Sequence, residues 1–535
     1  MNAHNQSRFG TARFATRAEI ARAGYFRKTK TSLYALNAFG KMLWVPADLG
    51  SMSVVAGSQG GKGTSFIIPN TLSGVMPETS SIQLDLKGEL SEVSQDMTPD
   101  GKICIYFNPT GMHGRAGNRF NPFSHLNKGS PSLVSDAQVT AENMIPRTSS
   151  GQGSAYFELR GQEFLTSIML AVAERDGEVT APALYEAVNL IPGGGERWIE
   201  FAFIMHSCGY ELSFNVEEEI AVCRDDSSGG FRGIVGEVIK SVSPLADPQL
   251  RDALSPPFDF SLGQLCDPSR STQFYLMCPP EKAQLWSPIL KSIFVCAMIE
   301  KMRRPDAPRQ VWMLDEAGQL GAFPLLLKLH SFAAGIGITN ISIFQSSKQM
   351  DNLGPNGQAV ILSSSALQIN FAIRDIEEAK RISDILGVQT LKYDRRLNQA
   401  EATMRRREIV QELLRGGDPF ELNARLGHFD QASSYQHEDR RPLRTPDEVM
   451  NGPEGEAFVF ADGVRYPILA QRVPYFENRA FAYRYHPNPY YPPSDRVRVQ
   501  TLFGKRWRRV HRTPVPERYA HLPQYRDGFW STIER

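Results

Sequence analysis

An α/β fold, built on a doubly wound and mostly parallel sheet with an inserted all-α domain, is what this 535-residue sequence predicts. Three observations predict it. In the second half, TQFYLMC, SPILKSIFVCAMIEKMRR, RQVWMLDE, NISIFQSS and LQINFAI follow one another as strand, helix and three further strands, the order of a sheet wound by crossovers. From about residue 131 to 255 the apolar spacing turns helical and strand patterns all but vanish. One strand-like run, SMSVVAG, ends in a glycine cluster and continues into the apolar stretch TSFIIPNTL, and strand, glycine turn and helix in that order is what a phosphate site needs.

Composition narrows the class. A hydrophobic share of 41% supports an ordinary core, and 535 residues allow three or four domains at about 100 to 200 each. The 59 Lys and Arg against 58 Asp and Glu exclude a polycation, so any nucleic-acid contact must come from local clusters. The six cysteines form no C-x-x-C pair, which argues against a disulfide scaffold or zinc ribbon. No window of about 18 uncharged apolar residues exists, and no apolar core follows the basic first 30 residues. The expectation is therefore a chain that neither spans a bilayer nor carries a secretory signal. No fixed-period repeat points to a solenoid or propeller.

The elements read as follows. An N-terminal lead-in segment, 1–44, carries a short amphipathic helix within GTARFATRAEIARAGYF, with Thr16 placed as its cap. A first part of the nucleotide-binding domain, 45–130, holds the strands SMSVVAG, SSIQLD and KICIYFNP. The all-α insertion is 131–255, and the second part of the nucleotide-binding domain is 256–390. A charged helix and linker, 391–454, separates it from a C-terminal hairpin, 455–480, turning at Asp462 and Gly463. A basic, aromatic tail, 481–535, reads as loosely ordered or docked on a partner.

The glycine cluster A56-G-S-Q-G-G-K-G-T64 is close to the P-loop G-x-x-x-x-G-K-[ST], whose backbone amides ring phosphates and whose lysine reaches the terminal oxygens. Gly61 and Lys62 match; Ala56 replaces the first glycine, and Gly63 stands where the hydroxyl belongs. The candidate cradle is Gly57, Ser58, Gly60, Gly61, Lys62, Gly63 and Thr64, with Thr64 supplying the magnesium hydroxyl. A flexible glycine turn with no ligand is the plain alternative. VWMLDE weakens that alternative, because four apolar residues before Asp315 and Glu316 form a buried strand that would deliver Asp315 to magnesium and Glu316 to the attacking water. Gln345, at the end of ISIFQSS, is placed to contact a terminal phosphate or orient the water, or is simply a loop glutamine. Asp85 to Glu89 either face the nucleotide or cap a helix. Arg374 and Arg381 follow the strand LQINFAI, and either is a candidate for the arginine that ring ATPases supply from a neighbouring subunit, a surface ion pair being the plainer role.

Together these residues resemble the cytosolic ATPase of TraG-like and VirD-like type IV coupling proteins. The resemblance covers most of residues 8 to 475 and rests on GTARFATRAEIARAG, SQGGKGTSFIIP, LDLKGE, the paired FNP and RFNPF, VWMLDEAGQLGAFPLLLKLHSFAAGIGITNISIFQS, RISDILG and RPLRTPDEVM. It implies a RecA-like P-loop NTPase with an all-α insertion, using ATP and Mg2+ and working as a homo-hexamer at the cytoplasmic inner face of the inner membrane. It implies that Lys62, Thr64, Asp315 and Glu316 carry ATP hydrolysis and that Gln345 senses the nucleotide. The implied cargo is DNA, single- or double-stranded, and/or a relaxase or effector protein, delivered to type IV secretion inner-membrane components.

The sequence departs from the family in two ways. Members commonly carry N-terminal transmembrane helices, and here the lead-in begins almost at Met1; the expectation is a soluble variant held by a membrane partner, or a chain that starts inside a longer product. From Arg484 to Arg535 there are ten Arg and one Lys against Asp495, Glu517, Asp527 and Glu534, a net of +7, interleaved with Tyr490, Tyr491, Trp507 and Tyr519. Cations among aromatics suit nucleic acid or an acidic partner, and a solvated tail is the alternative. Two rival functions stand beside the motor: a nucleotide-binding adaptor presenting relaxase or effector cargo with little ATP turnover, and an ATPase that powers assembly of the secretion apparatus.

Overall fold

The computed structural model describes residues 10–46, 48–95, 102–148, 152–224, 229–393, 396–416, 418–421 and 437–534. The strands are β1 (Leu33–Ala38), β2 (Lys41–Val45), β3 (Met52–Ala56), β4 (Ser80–Asp85), β5 (Ile103–Phe107), β6 (Thr272–Met277), β7 (Gln310–Leu314), β8 (Ile338–Phe344) and β9 (Leu367–Phe371). After β10 (Val388–Tyr393) and β11 (His437–Pro442) come β12 (Glu456–Ala461), β13 (Ile468–Gln471), β14 (Arg496–Thr501), β15 (Gly504–Pro514) and β16 (Phe529–Ile533). Two compact units divide the chain: residues 17–372, 455–464 and 469–535 make one, and residues 1–16, 373–454 and 465–468 the other.

An eleven-stranded sheet runs in the order β2-β1-β13-β12-β9-β3-β8-β7-β4-β6-β5. From β9 to β5 every neighbouring pair is parallel. Strands β3, β7 and β8 are buried at every position, as expected where helices cover both faces and the strand sequences become continuous apolar runs. At the other edge, β12 is antiparallel to β9, and β1 is antiparallel to both β13 and β2. The β1–β2 hairpin lies, but for Val45, inside the lead-in segment 1–44, for which the sequence pattern predicts only a short helix. Its turn, Phe39-Gly40, takes positive φ at both residues, the geometry of a tight hairpin turn, but it lacks the Asn-Gly or Asp-Gly pair by which such turns are recognised.

Between β5 and β6 the α-helices among the described residues are Leu133–Met144, Gln152–Asp176, Ala181–Leu190, Glu196–Ser207, Glu211–Cys223, Gly230–Val242 and Pro248–Ala253. The middle of Gln152–Asp176 is buried without interruption from Phe164 to Ala173, which makes it the hub around which the others pack. Each fully buried Leu, Ile or Phe there contributes about 1.5 to 3 kcal/mol. The helix Ser287–Met302, buried almost all round, packs against Leu133–Met144 and joins insertion and sheet into one core.

The C-terminal segment is folded rather than loosely ordered, the first of the two readings given for it. Strands β14, β15 and β16 pair antiparallel in a sheet of their own. Tyr519, Leu522 and Tyr525 enter the main core, and the Gln524 side chain donates to the Cys104 carbonyl at 2.9 Å.

In the second unit, β10 and β11 pair antiparallel from Val388↔Pro442 to Tyr393↔His437. Gly10 lies against β10: the Thr390 amide donates to the Gly10 carbonyl at 3.1 Å, and a Cβ on Gly10 would sit 2.3 Å from the Val388 oxygen. The helix Ile376–Leu386 precedes β10, and Pro446–Met450 follows β11 with a capping box formed by Thr445 and Glu448. The charged segment contains the helix Arg396–Leu414; residues 422–436 of the expected linker, like residues 1–9 of the lead-in, lie outside the described residues.

Candidate nucleotide site

Four neighbouring parallel strands, β3, β8, β7 and β4, end at one edge of the sheet. The register pairs Val55 with Phe344, Leu314 with Ser342 and Leu84 with Leu314, so the residues after them, Gly57, Gln345, Asp315 and Asp85, emerge side by side. This is the carboxyl end of the sheet, where open α/β folds bind ligands.

The loop after β3 turns on itself: the Gly60 amide donates to the Gly57 carbonyl at 2.9 Å, and the Ser65 amide to Gly61 at 2.9 Å. Gln59 and Gly61 take positive φ. Gly60 is required by space, since a Cβ there would lie 2.6 Å from the Ala372 Cβ and 2.7 Å from the Gly57 oxygen. A wide turn over Gly63–Ile67, in which the Ile68 amide donates to Gly63, leads into the helix Ile68–Thr71. The Thr64 hydroxyl donates to the Gly61 carbonyl at 3.2 Å. Nothing lies within 4 Å of a Cβ built on Gly63, so glycine there is not imposed by crowding.

Lys62 reaches across to the end of β7, its Nζ 2.5 Å from Glu316 Oε1 and 3.2 Å from Asp315 Oδ1. Gln345 Nε2 donates to both Glu316 oxygens at 2.8 Å, and the Gln345 amide donates to Gln349 Oε1 at 2.9 Å. Glu316 takes a left-handed backbone, φ 56 and ψ 41, a strained conformation for a side chain of its size that turns its carboxylate back over the loop. Asp315 Oδ1 is shielded from solvent and, although close to Lys62, accepts no hydrogen bond.

Charge and burial pull against each other here. Burial pushes the Asp315 carboxyl above its ordinary range, with Lys62 only partly opposing it. For Glu316 burial acts in the same upward sense, but the bonds from Lys62 and Gln345 outweigh it and hold the group below the usual value. Burial also works against the Lys62 charge; the two carboxylates win, and its pKa stands above that of an ordinary lysine. Asp85 is fully buried and pushed up to about 6 by desolvation, although Oδ2 accepts from the Ser91 amide at 2.8 Å. It therefore anchors the helix Glu89–Ser94, one of the two roles read for it, and also lines the cavity.

A cavity of about 1050 Å³ opens above this edge, lined by Ser58, Gly60 to Thr64, Asp85, Lys87, Asp315, Glu316 and Gln345. The structure thus brings the loop, the acidic pair and the glutamine into one place. Arg374 is exposed and Arg381 is bonded to Glu378 at 2.5 Å; both belong to the other compact unit.

A profile of the family described as type IV secretory system conjugative DNA transfer matches residues 2–415. The chain belongs to this family. Among relatives of this conjugative DNA transfer family, VirD4 of Rhizobium radiobacter is 26% identical over 495 residues, spanning 89% of this chain and 65% of that protein. TraG of Escherichia coli is 26% identical over 465 residues, spanning 80% and 67%. The chain therefore spans about two thirds of the length of these curated relatives. The bacterial conjugative coupling protein TrwB, in an unbound monoclinic form, superposes with a TM-score of 0.58 at 14% identity, over 88% of this chain and 96% of that one. TrwB in complex with ADP and Mg2+ gives 0.57 with the same identity and coverage. At that identity the likeness concerns the fold, which is RecA-like.

In this member of the conjugative DNA transfer family, two parts of the site escaped sequence reasoning. Arg472, one residue past β13, donates to the Gly60 carbonyl and lies over the Phe371 ring, buttressing the loop from outside. The other is a wall of the cavity formed by C-terminal residues, among them Tyr491, Arg496, Arg498, Lys505 and Trp507. Arg472 carries no sequence signal. The wall does carry one: R-V-R-V-Q and K-R-W-R-R-V flank a glycine turn, an alternating hairpin pattern hidden by its charge.

Proposed function

We propose that the chain is an ATP-driven coupling motor that recruits DNA and/or relaxase or effector proteins and moves them into a type IV secretion or conjugation channel. The observation that carries this reading is the convergence of Lys62, Asp315, Glu316 and Gln345 on one glycine loop. The roles of the relatives, conjugal transfer for TraG and conjugative coupling for TrwB, support it.

ATP and Mg2+ fit the residues present. Asp315 Oδ1 is a buried carboxylate oxygen that faces the Lys62 ammonium at 3.2 Å without a well-formed hydrogen bond, and no cluster of three or more metal-binding side chains occurs among the described residues. That suits a cation that takes one or two protein ligands and fills the rest with water and phosphate. Asp315 and Thr64 would hold the metal, and residues from Gly57 to Thr64 the phosphates. When bound, the metal supplies charge neutralisation at the phosphate oxygens. The chain's own residues do the rest: Lys62 exchanges its carboxylate partners for phosphate, Glu316 takes the proton of the attacking water, and Gln345 holds Glu316 and the water in line. The working form is a homo-hexamer, peripheral at the inner face of the inner membrane, in which Arg374 reaches the site of a neighbouring copy. No helix among the described residues is long and apolar enough to cross a membrane.

Steady-state ATP turnover tests the motor. Turnover per subunit should rise steeply with protein concentration and again with single-stranded DNA, and the DNA effect should fade as salt rises, because phosphate neutralisation releases counterions. Turnover that is flat with concentration and indifferent to DNA favours the adaptor.

A further inference from the structure

The wall facing the glycine loop is a fixed part of the fold. In the β14–β15 register Arg496 stands opposite Arg509, Arg498 opposite Trp507 and Gln500 opposite Lys505, and residues directly opposed across a ladder share a face. Val497 and Val499 are buried on the other face, while Arg496, Arg498, Lys505 and Trp507 line the cavity that also holds Lys62 and Glu316. The wall is tied to the chain that follows β4: the Tyr490 hydroxyl donates to the Lys87 carbonyl at 2.8 Å, Asn488 Nδ2 to Glu89 Oε1 at 2.5 Å, and the His486 amide to the Val93 carbonyl at 2.8 Å.

The position and charge of the wall matter. Strand β4 is a neighbour of β7 and is separated from the loop strand β3 by β7 and β8, so the wall is fastened on the Asp315–Glu316 side of the cavity. If Glu316 takes the water's proton, that is the side of the terminal phosphate. Of the cations on the wall, Lys505 is paired with Glu477 at 2.7 Å, and Arg496 lies 3.7 Å from Asp495 and over the Trp507 ring. Among the described residues the Arg498 side chain makes no ion pair. An unpaired guanidinium facing a P-loop cavity has the planar fork that suits phosphate oxygens.

We propose that Arg498 contacts the terminal phosphate of a nucleoside triphosphate seated on the glycine loop of its own chain, so that the C-terminal sheet completes the site in cis. This rests on the P-loop reading above. As water's oxygen bonds to the γ-phosphorus and the bond to the β-γ bridging oxygen breaks, the water's proton passes to Glu316 and the leaving oxygen keeps the electron pair. Arg498 offsets charge on the transferring group. Trp507 stands opposite it in register, on the same face of the hairpin.

The test uses the full chain with Arg498→Ala, Arg498→Lys and, as control, Arg506→Ala, which lies on the opposite face of the hairpin, paired with Val499. Affinities for a non-hydrolysable ATP analogue and for ADP are read by fluorescence titration, and turnover by phosphate release. Arg498→Ala should weaken the triphosphate analogue about tenfold relative to ADP and lower kcat by at least about tenfold. Arg498→Lys should recover part of both, and Arg506→Ala should match wild type. An Arg498→Ala variant with the wild-type preference for triphosphate overturns the proposal, as does a rise in turnover, which would make the wall a brake. Lys62→Ala separates the two layers: if it abolishes binding while Arg498→Ala is silent, the cis cation alone fails; if both are silent, the P-loop reading fails with it.

Discussion

Changing Glu316 to Gln should tighten nucleotide binding while stopping hydrolysis, and the reason lies in what Lys62 holds now. Its Nζ is 2.5 Å from Glu316 Oε1 and 3.2 Å from Asp315 Oδ1, so the loop lysine must give up a charged hydrogen bond before it can reach a phosphate. A bond of that kind is worth about 1.5 to 3 kcal/mol when buried. Lys62 and Glu316 each keep 15% of their side-chain exposure, and solvent screening brings the figure down to about 1 kcal/mol. Gln at 316 keeps the shape and a weaker acceptor, so ATP affinity should rise about fivefold, given that 1.4 kcal/mol is tenfold. Turnover should fall by about a hundredfold or more, because the carboxylate proposed to take the water's proton is gone. Lys62→Ala should differ in kind, losing affinity and turnover together. The Glu316 carboxyl is held below its ordinary 4.5, so the pair persists at all pH above that value and is lost as pH falls through the lower native one. The affinity gain from Glu316→Gln should therefore be constant between pH 6 and 8. Fluorescence titration with an ATP analogue, alongside phosphate release, reads both quantities. Equal loss of affinity in the two variants would refute the division of roles, and unimpaired turnover by Glu316→Gln would remove Glu316 from the chemistry.

Gly60→Ala should cost about 1 to 3 kcal/mol of local stability by overpacking and abolish nucleotide binding, since its Cβ meets the Gly57 carbonyl and Ala372 rather than a flexible chain end; a variant that binds ATP normally would show that the loop can open. His125, His330 and His486 are buried, and desolvation lowers each from 6.5 to about 3. The unfolded chain binds protons at these groups below pH 6.5 and the native chain does not, so stability should fall as pH drops, by up to about 2 kcal/mol per histidine at pH 5. Denaturant midpoints at pH 7 and pH 5 check this, and His486→Gln should flatten the difference by up to about a third; an unchanged slope would show His486 protonated in the fold. Attachment to the membrane through charge predicts release by high salt or carbonate in fractionated host cells, and retention after both would exclude a purely peripheral hold.

Much of the sheet was legible because its strands are buried on both faces and so appear as short, mainly apolar runs: SVVA, IQLD, ICIYF, VWML and ISIF are all strands. The acidic pair was legible for the same reason, since a buried strand that ends in two carboxylates is conspicuous. What stayed hidden had weaker local physics. Gln345 could be placed at a strand end but not shown to face Glu316, because that depends on β8 inserting between β3 and β7, a matter of topology. The β1–β2 hairpin was missed because Phe39 occupies a positive-φ turn position normally held by Asn, Asp or Gly. Strand β11, HEDRRP, carries charge at four consecutive positions, Glu438 to Arg441, and shows no apolar alternation.

The C-terminal segment shows why charge misleads. A run with a net of +7 reads as a solvated arm, and the experiment that reading suggests is to delete residues 484–535 and look for a weaker response to DNA. In the structure that deletion removes Tyr519, Leu522 and Tyr525 from the main core, and with them Asn488 and Tyr490, which tie the wall to the chain after β4. Burying three such side chains is worth several kcal/mol, at about 1.5 to 3 each, a large part of the 5 to 15 kcal/mol that holds a domain together. Loss of activity on deletion would therefore say nothing about DNA. A point change at Arg509 separates the two effects, because this exposed residue of β15 does not line the nucleotide cavity and leaves the buried valines of β14 untouched. If the segment contacts nucleic acid, Arg509→Ala should lower the salt dependence of DNA-stimulated turnover by about one phosphate contact while basal turnover stays at the wild-type rate. Basal turnover that falls in step with the DNA response would instead make this face part of the nucleotide site throughout.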